Sequence, residues 1–519
     1  MPEPQTIRSV FVGRLFHAPA VDDFRHVACA IVGVAASGRI AFVEEVRPGE
    51  AGAKAAALAR LKAAWRFDDA SVVELGVHQF LVPGLVDTHI HAPQYVFTGT
   101  GYDLTLLQWL EKYTFPREAA YGDTEYARET FGKVVRRTVR CGTTTACYYA
   151  TTHLAATKAL ADVVHEVGQR AFVGKVNMDR NSPDYYVETT AESLASTRAI
   201  VDYIRTTLQS PLVTPVLTPR FVPSCTPELM RGLGDIAAEF DLPVQSHLSE
   251  TPSEIEWVAA LHPECTSYSD VYARYGLLTS RTIMAHCVHL SRAERDLLRE
   301  RGVGISHCAN SNFCLHSGAL NVRRLLLEGH DKLGLGTDVA GGYSPSLLDA
   351  MRQSIIASKV VHVGSRERAA ARSRAASATT SGSAVEHVIN GHRHDNGHGS
   401  GNGHSNGKPN SAGNNGCLAL FDEDADDTAI YAPLSFSEAF YLATLGGAKV
   451  LGLDKQIGTI EPGKDFDALV VDVAAVVGAA SNIDVFPHDD PIAVFEKFIY
   501  LGDDRNIVDV YVQGRRITP

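Results

Sequence analysis

The sequence has no concentration of basic residues, no long apolar run and no paired cysteine pattern. Its 48 Lys and Arg stand against 60 Asp and Glu, a formal charge of −12, which argues against binding a nucleic-acid backbone. No stretch reaches 18 consecutive apolar residues, and the first 20 residues lack the basic and apolar segments of a signal peptide. Nine scattered cysteines favour reduced thiols. These absences predict a cytoplasmic protein with a small-molecule partner and with neither nucleic acid nor membrane.

Both ends of the chain read as β-structure. Apolar and polar residues alternate between turn signals in IRSVFVGRLFHA, VACAIVGV and IAFVEEV near one end, and in FDALVVDV, FEKFIYLG and IVDVYVQGRRI near the other. Because chain termini often lie close together, we predict that residues 1–81 and 465–519 form one small β-sandwich domain.

Between the two ends, short apolar strands alternate with helical segments, the pattern of βα units around a parallel sheet. Eight strands are predicted, in FLVPGLVDTHIH, GTTTACYYA, RAFVGKVNM, LVTPVLTPRF, PVQSHLSE, TIMAHCVHL, GVGISHCAN and KLGLGTDVA. Eight such units make an α/β fold of the (β/α)8 TIM-barrel type. We assign this barrel to residues 82–464.

One segment does not fit the barrel pattern. Residues 365–427 are rich in Ser, Ala, Gly, Asn and His and end in FDEDADD, a composition with too little apolar surface to offset the entropy of ordering. We predict a disordered insertion, which should emerge beyond a barrel helix on the face away from the active site. Its histidines, spaced by glycines, favour a solvated loop over a metal site.

Polar side chains occur at the carboxyl ends of four predicted strands, where a TIM barrel builds its active site. His89 and His91 end the first strand, and their spacing of two places both on one face. The other strand ends supply His247, with Glu250 three residues on, His286 and Asp338. Taken singly, a histidine is more often structural and an aspartate before a helix more often an N-cap. Because all lie at the same end of different strands, they predict a metal site, best suited to Zn²⁺, with Fe²⁺ or Mn²⁺ as alternatives.

The chain resembles the amidohydrolase superfamily in four features. These are the motif PGLVDTHIH on strand one, a histidine on each of strands five and six, and an aspartate on strand eight. The C-terminal IGTIEPGKDFDALVVD resembles that superfamily's return into its small β domain. Binuclear members carry a metal-bridging lysine on strand four, and LVTPVLTPRF has none. This departure favours the mononuclear branch, which includes many deaminases.

HIHAPQY, TPRFVPSC, SHLSE and GTDVAGGYS together are similar to the guanine deaminase family. The resemblance implies hydrolysis of guanine to xanthine and ammonia in purine catabolism by a homodimer with one zinc ion per subunit. It assigns the metal and the reaction to the following residues: His89, His91, His247 and Asp338 as ligands, and Glu250, His286 and Asp338 as catalytic groups. It places the substrate against His91, Ala92, Pro93, Gln94, Arg220, Phe221, His247, Glu250 and Asp338.

These residue types suit the chemistry. Zinc lowers the pKa of a bound water to about 7, Asp338 can accept that water's proton, and a protonated Glu250 can protonate the ring nitrogen next to the attacked carbon. His286 can orient the nucleophile or stabilise the tetrahedral centre. The alternative for Glu250 is an N-terminal carboxylate of the following helix, favoured by its dipole.

Substrate choice follows from hydrogen-bond polarity. Arg220 offers only donors and suits a carbonyl oxygen, Gln94 offers a donor and an acceptor, and Phe221 can stack on a purine. A structural ion pair is the alternative for Arg220, and a core position is the alternative to a pocket-covering role for Trp109.

Two other functions are compatible with these residues. A mononuclear relative acting on 8-oxoguanine, a triazine or an adenosine-like thioether would keep the same ligands. A catalytically silent scaffold of the same fold would be expected to have lost some of them.

Overall fold

The computed structural model describes residues 6–47, 52–382, 432–475 and 481–518. Strands and helices alternate through most of this range, as expected for a mixed α/β protein. The strands are β1 Ile7–Ala20, β2 Asp23–Ala35, β3 Ile40–Glu45, β4 Val72–Glu74, β5 Gln79–Pro83, β6 Leu85–His91, β7 Thr143–Tyr149, β8 Arg170–Gly174, β9 Val176–Asn177, β10 Val213–Pro215, β11 Thr218–Pro219, β12 Val244–Leu248, β13 Thr282–His286, β14 Gly304–His307, β15 Leu333–Leu335, β16 Ala468–Asp472, β17 Ile507–Val512 and β18 Arg515–Arg516. The α-helices are α1 Ala53–Trp65, α2 Leu106–Trp109, α3 Phe115–Ala119, α4 Thr124–Arg140, α5 Leu154–Val167, α6 Thr190–Asp202, α7 Pro227–Phe240, α8 Pro252–Leu261, α9 Tyr268–Arg274, α10 Arg292–Arg301, α11 Ala309–Cys314, α12 Val322–Leu327, α13 Leu347–Gly382, α14 Phe436–Tyr441, α15 Gly447–Val450 and α16 Pro491–Leu501.

Strands from both ends of the chain lie in one sheet. Its order is β18-β17-β16-β5-β1-β2-β3, with β4 paired to β1. Most apolar residues of this sheet are buried, and the rings of Phe11 in β1 and Phe466 just before β16 stack with centroids 4.8 Å apart. The two ends therefore share one hydrophobic core across more than 400 positions of sequence.

The strand predicted for FEKFIYLG is wrong, because this segment lies in helix α16. Asp490 accepts the N-terminal N–H of Ala493 as an N-cap, and Pro491 takes the first helical position, both typical helix starts. The buried residues Val494, Phe495, Phe498 and Ile499 follow the helical spacing of three to four rather than the alternation of a strand.

Each of the eight candidate barrel segments contains a strand, and the pairings among β6 to β15 are all parallel. One sheet has the order β10-β8-β7-β6 and another the order β12-β13-β14-β15, with β9 and β11 pairing as a short third ladder. An isolated parallel bridge between Leu217 and Val244 links the first sheet's side to β12. On the other side, Asp338 N donates to His89 O at 2.9 Å, joining the segment after β15 to β6. The carboxyl ends of these strands therefore face one region of space.

A buried ion-pair cluster, formed by Arg170, Asp465 and Asp467, joins the parallel strands to the sheet of the chain ends. Arg170 at the start of β8 donates to Asp467 at 3.0 Å and to Asp465 at 2.9 Å. Its side chain is 4% exposed and both carboxylates are 1% exposed. Because a buried charge is tolerated only when paired, loss of either partner would be strongly destabilising.

Helix α13 extends to Gly382, so the structure is helical from residue 365 to 382, where the disordered insertion was predicted to begin. The stretch RERAAARSRAA has a high helix propensity, which the low-complexity composition downstream obscured. The rest of the predicted insertion lies outside the described residues. Among the helices of the described ranges, none is long and apolar enough to cross a membrane.

Candidate active site

Strand β6 delivers His89 and His91 side by side at its carboxyl end. All seven of its residues are buried, with His89 and His91 only 1% and 3% exposed. Asp87 in the same strand accepts the backbone N–H groups of His89 and Thr337 at 3.2 and 3.0 Å. The Asp87 carboxyl thus fixes the end of β6 against the segment that follows β15.

The side chains of His89, His91, His247 and Asp338 converge, each offering one ligand atom within 4.8 Å of the others. Asp338 Oδ1 lies 3.1 Å from His89 Nε2 and 3.4 Å from His91 Nε2. His91 Nε2 is 3.2 Å from His247 Nε2. Three imidazole nitrogens and a carboxylate at these distances form a set that can hold a tetrahedral metal ion.

The ionisation states of this group also fit a metal site. Burial lowers the pKa values of His89 and His91 and, together with neighbouring imidazoles, that of His247, so these rings are neutral and keep a free lone pair. Burial opposes ionisation of Asp338, but the imidazoles of His89, His286 and His91 hold its pKa well below the ordinary range. His247 Nδ1 donates to the Arg220 carbonyl at 2.6 Å, which directs its Nε2 inward.

Glu250 and His286 lie beside this cluster. His286 Nε2 is 3.5 Å from Glu250 Oε2 and 3.7 Å from Asp338 Oδ2. Burial raises the pKa of Glu250 to about 7. The His286 imidazole opposes this shift, and the carboxylates of Glu254 and Asp338 add to it. Burial opposes protonation of His286, but Glu250 and Asp338 raise its pKa overall. A carboxyl group that is partly protonated near neutral pH therefore faces the cluster.

Neighbouring side chains fix the orientation of these two groups. Ser317 Oγ donates to Glu250 Oε1 at 2.8 Å, leaving Oε2 on the side of His286. His286 Nδ1 donates to Asn312 Oδ1 at 2.8 Å. His286 and Asp338 have φ values of 68° and 46°, the left-handed conformation that non-glycine residues adopt mainly where the surroundings enforce it.

A cavity opens directly above the cluster. Its lining residues, which include most of those predicted to contact substrate, are His91, Gln94, Leu106, Trp109, Leu110, Arg220, Phe221, His247, Glu250, Glu254, His286, Leu315, Asp338 and Gly341. Ala92 and Pro93 are buried in the turn after β6 and are not among the lining residues. Trp109 lines the cavity and is also 2% exposed, so the two roles considered for it, pocket cover and core residue, coexist.

Arg220 likewise combines both roles considered for it. It lines the cavity, and it forms a bidentate pair with Glu118 at 2.7 and 3.2 Å. Sequence reasoning did not single out Glu118, nor Ser317, Asn312 and Glu254, because each stands outside the strand-end pattern. The available signal for Glu118 was a carboxylate placed three residues after Phe115 on the buried face of a short helix.

Comparison with known proteins shows which family the chain resembles. The amidohydrolase family model matches residues 80–388 and 410–517. The chain is 46% identical to a guanine deaminase of Dictyostelium discoideum, over 86% of this chain and 84% of that protein. It is 42% identical to the guanine deaminase of Mus musculus, over 98% of this chain and 96% of that protein.

A solved structure gives the same result. The crystal structure of guanine deaminase from C. acetobutylicum, with bound guanine in its active site, superposes with a TM-score of 0.75 at 33% identity. The match covers 98% of this chain and 99% of that one.

Proposed function

The chain belongs to the amidohydrolase family and, within it, to the guanine deaminases, and we propose that it hydrolyses guanine to xanthine and ammonia. The observation that carries this proposal is the position of the His89, His91, His247 and Asp338 cluster at the floor of a cavity lined by Gln94, Arg220 and Glu250. A carbon–nitrogen hydrolase needs an activated water, a proton donor and groups that hold the ring, and this cavity offers residues for each task.

We propose that His89, His91, His247 and Asp338 hold one zinc ion per subunit. Two observations fit a cation at this point. His89 Nε2 is buried beside the Asp338 carboxylate, 3.1 Å away. His91 Nε2 lies 3.2 Å from His247 Nε2, whose ring donates through Nδ1 to the Arg220 carbonyl. His247 Nε2 therefore carries a free lone pair, and a cation between the imidazoles could bind it together with His89 and His91. When bound, such an ion lowers the pKa of a coordinated water to about 7.

The protein's own groups then move the protons. Asp338 accepts the proton of the attacking water, and Glu250 gives its proton to the ring nitrogen next to the attacked carbon, which prevents negative charge from building up there. His286, oriented by Asn312, stabilises the tetrahedral centre. Asp338 passes its proton to the departing amine, which leaves as ammonia when the carbon–nitrogen bond breaks. The remaining hydroxyl proton returns to Glu250 as the carbonyl of xanthine forms.

We assign recognition of the purine ring to Arg220, Gln94 and Phe221, which line the same cavity. Arg220 has five N–H donors, of which two bind Glu118, so three are not used by that pair. Gln94 Oε1 accepts Ala340 N at 3.2 Å and its Nε2 donates to Glu118 at 2.9 Å, which leaves one amide N–H and one lone pair for a ring edge. Phe221 lines the cavity and offers a face for the purine.

We propose that the eight predicted strand segments, which contain the parallel strands β6 to β15, form a (β/α)8 barrel within residues 82–464, and that residues 1–81 and 465–519 form a β-sandwich. The cytoplasmic location and the homodimer likewise remain predictions.

The purified protein is expected to convert guanine to xanthine, with one ammonia released per xanthine. A metal chelator should abolish the reaction and added Zn²⁺ should restore it. Xanthine is followed by its ultraviolet spectrum and ammonia by a coupled assay. Turnover of 8-oxoguanine or a triazine without turnover of guanine would refute the proposal.

Excision of residues 366–427 and their replacement by a short Gly and Ser linker is expected to leave kcat and KM for guanine within about twofold of the full chain. The flanking segments approach each other, because Leu434 N donates to Ser358 Oγ at 2.9 Å. Steady-state kinetics and size-exclusion chromatography measure the outcome. Loss of soluble folded protein, or a tenfold loss of turnover, would contradict the prediction.

A further inference from the structure

Glu118 is a fully buried carboxylate that accepts four hydrogen bonds from three side chains. Arg220 donates to both of its oxygens, Gln94 Nε2 donates to Oε1 at 2.9 Å, and the Tyr186 hydroxyl donates to Oε2 at 2.8 Å. The Glu118 side chain is 0% exposed. Each carboxylate oxygen of Glu118 therefore accepts two hydrogen bonds, one for each lone pair, and this holds the carboxylate rigidly.

The partners of Glu118 come from separate parts of the chain and meet at the cavity. Gln94 lies in the turn after β6, Arg220 follows β11, and Glu118 lies in α3, within the helical segment that begins at Leu106. Gln94 and Arg220 line the cavity, as do Leu106 and Trp109 of that segment. One carboxylate thus fixes two side chains of the cavity wall and anchors the segment that covers it.

Charge is the second property of this arrangement. The guanidinium of Arg220 is 3% exposed, and an unpaired buried cation would attract any anion of suitable size. Burial opposes the charge, but Glu118 raises the pKa of Arg220, so the guanidinium stays protonated beside its carboxylate partner. The pair has no net charge, while the N–H groups of Arg220 that Glu118 does not use remain available to a neutral carbonyl oxygen.

We propose that Glu118 is a positioning and specificity residue for the purine. It holds Arg220 and Gln94 in place and cancels the charge of Arg220, so that the cavity selects a neutral ring over an anionic one. This inference rests on the proposed function, since it takes Arg220 and Gln94 as the groups that hold guanine. Its consequence is weak retention of xanthine, which is more acidic than guanine and partly anionic in mildly alkaline solution.

Glu118→Gln tests both parts, because the amide keeps the size of the side chain and removes its charge. KM for guanine is expected to rise about 10- to 100-fold, while kcat falls by no more than about threefold, since the lost contacts bind ground and transition states alike. In mildly alkaline buffer, the dissociation constant of xanthine should fall at least about tenfold, because Arg220 then lacks its counter-charge. Calorimetry measures xanthine binding directly.

Two variants separate geometry from charge and from general destabilisation. Glu118→Asp retains the charge but shortens the side chain, so KM for guanine should rise without tighter xanthine binding. Glu294→Gln is the matched control: Glu294 is also buried and accepts hydrogen bonds from Ser269 and Ser291, but it does not line the cavity. This variant should leave both constants unchanged.

A fall in kcat or in thermal midpoint with an unchanged ratio of guanine KM to xanthine dissociation constant would overturn the proposal. If Glu118→Gln does not fold, Tyr186→Phe, which removes one donor to Glu118, should still raise KM for guanine, and an unchanged KM would overturn it. If the unmodified protein does not turn over guanine, the proposed function fails. The Glu118 proposal is then decided by calorimetry alone, and no gain in xanthine affinity would refute it.

Discussion

Replacing His89 with alanine is expected to remove the bound metal and to lower kcat for guanine by at least about 1,000-fold. His89 Nε2 lies 3.1 Å from Asp338 Oδ1 and is buried without another partner. Its loss leaves two histidines and a carboxylate, one short of the ligand set proposed here. Elemental analysis of the purified variant gives the metal content, and ultraviolet assay of xanthine gives kcat.

The control for this change is His330→Ala. His330 is also a buried histidine, at 5% exposure, but it precedes β15, whereas the active-site cluster lies beyond that strand's other end. It should keep both its metal and its activity. If His89→Ala keeps a full complement of metal, or if His330→Ala loses its metal, the ligand assignment is wrong.

Replacing Glu250 with glutamine is expected to lower kcat by about 10²- to 10⁴-fold while leaving the metal content unchanged. The carboxyl can deliver a proton because burial raises its pKa to about 7, whereas an amide of the same shape cannot. KM for guanine should change by less than about threefold, because the interaction is made in the transition state. Steady-state kinetics and elemental analysis of the same preparation decide the outcome.

Ser317→Ala provides a graded comparison at the same carboxyl group. It removes the hydroxyl that donates to Glu250 Oε1 at 2.8 Å but leaves the acid itself, so kcat should fall only about tenfold. If Glu250→Gln retains more than a tenth of the original kcat, or loses its metal, Glu250 is not the proton donor.

The convergence of the candidate site residues was predictable because they follow one geometric rule. Parallel strands leave a sheet at a common edge, so His89, His247, His286 and Asp338 had to approach one another once their strands were recognised. Alternation along β6 then placed His91 beside His89. The site followed from strand assignment alone, without knowledge of any side-chain contact.

Contacts between distant segments were not predictable in the same way. Glu118 belongs to a short helix, and no local sequence pattern predicts its hydrogen bonds with Gln94 and Arg220, which lie 24 and 102 positions away. The strand predicted for FEKFIYLG failed for a different reason. A short apolar run fits both the 3.6-residue repeat of a helix and the two-residue repeat of a strand. The capping residue Asp490, which favours the helix, lies outside the run.

The buried ion-pair cluster of Arg170, Asp465 and Asp467 also bears on the synthesis of the chain. Arg170 leaves the ribosome 295 residues before Asp465, an interval of roughly 15 to 60 s at ordinary rates of translation. During that time its guanidinium has neither carboxylate to pair with, so the start of β8 stays hydrated. A chain truncated before Asp465 would lack both carboxylates, so the amino end of β8 could not be buried with its charge paired. We expect such truncated chains to be substrates for chaperones and proteases.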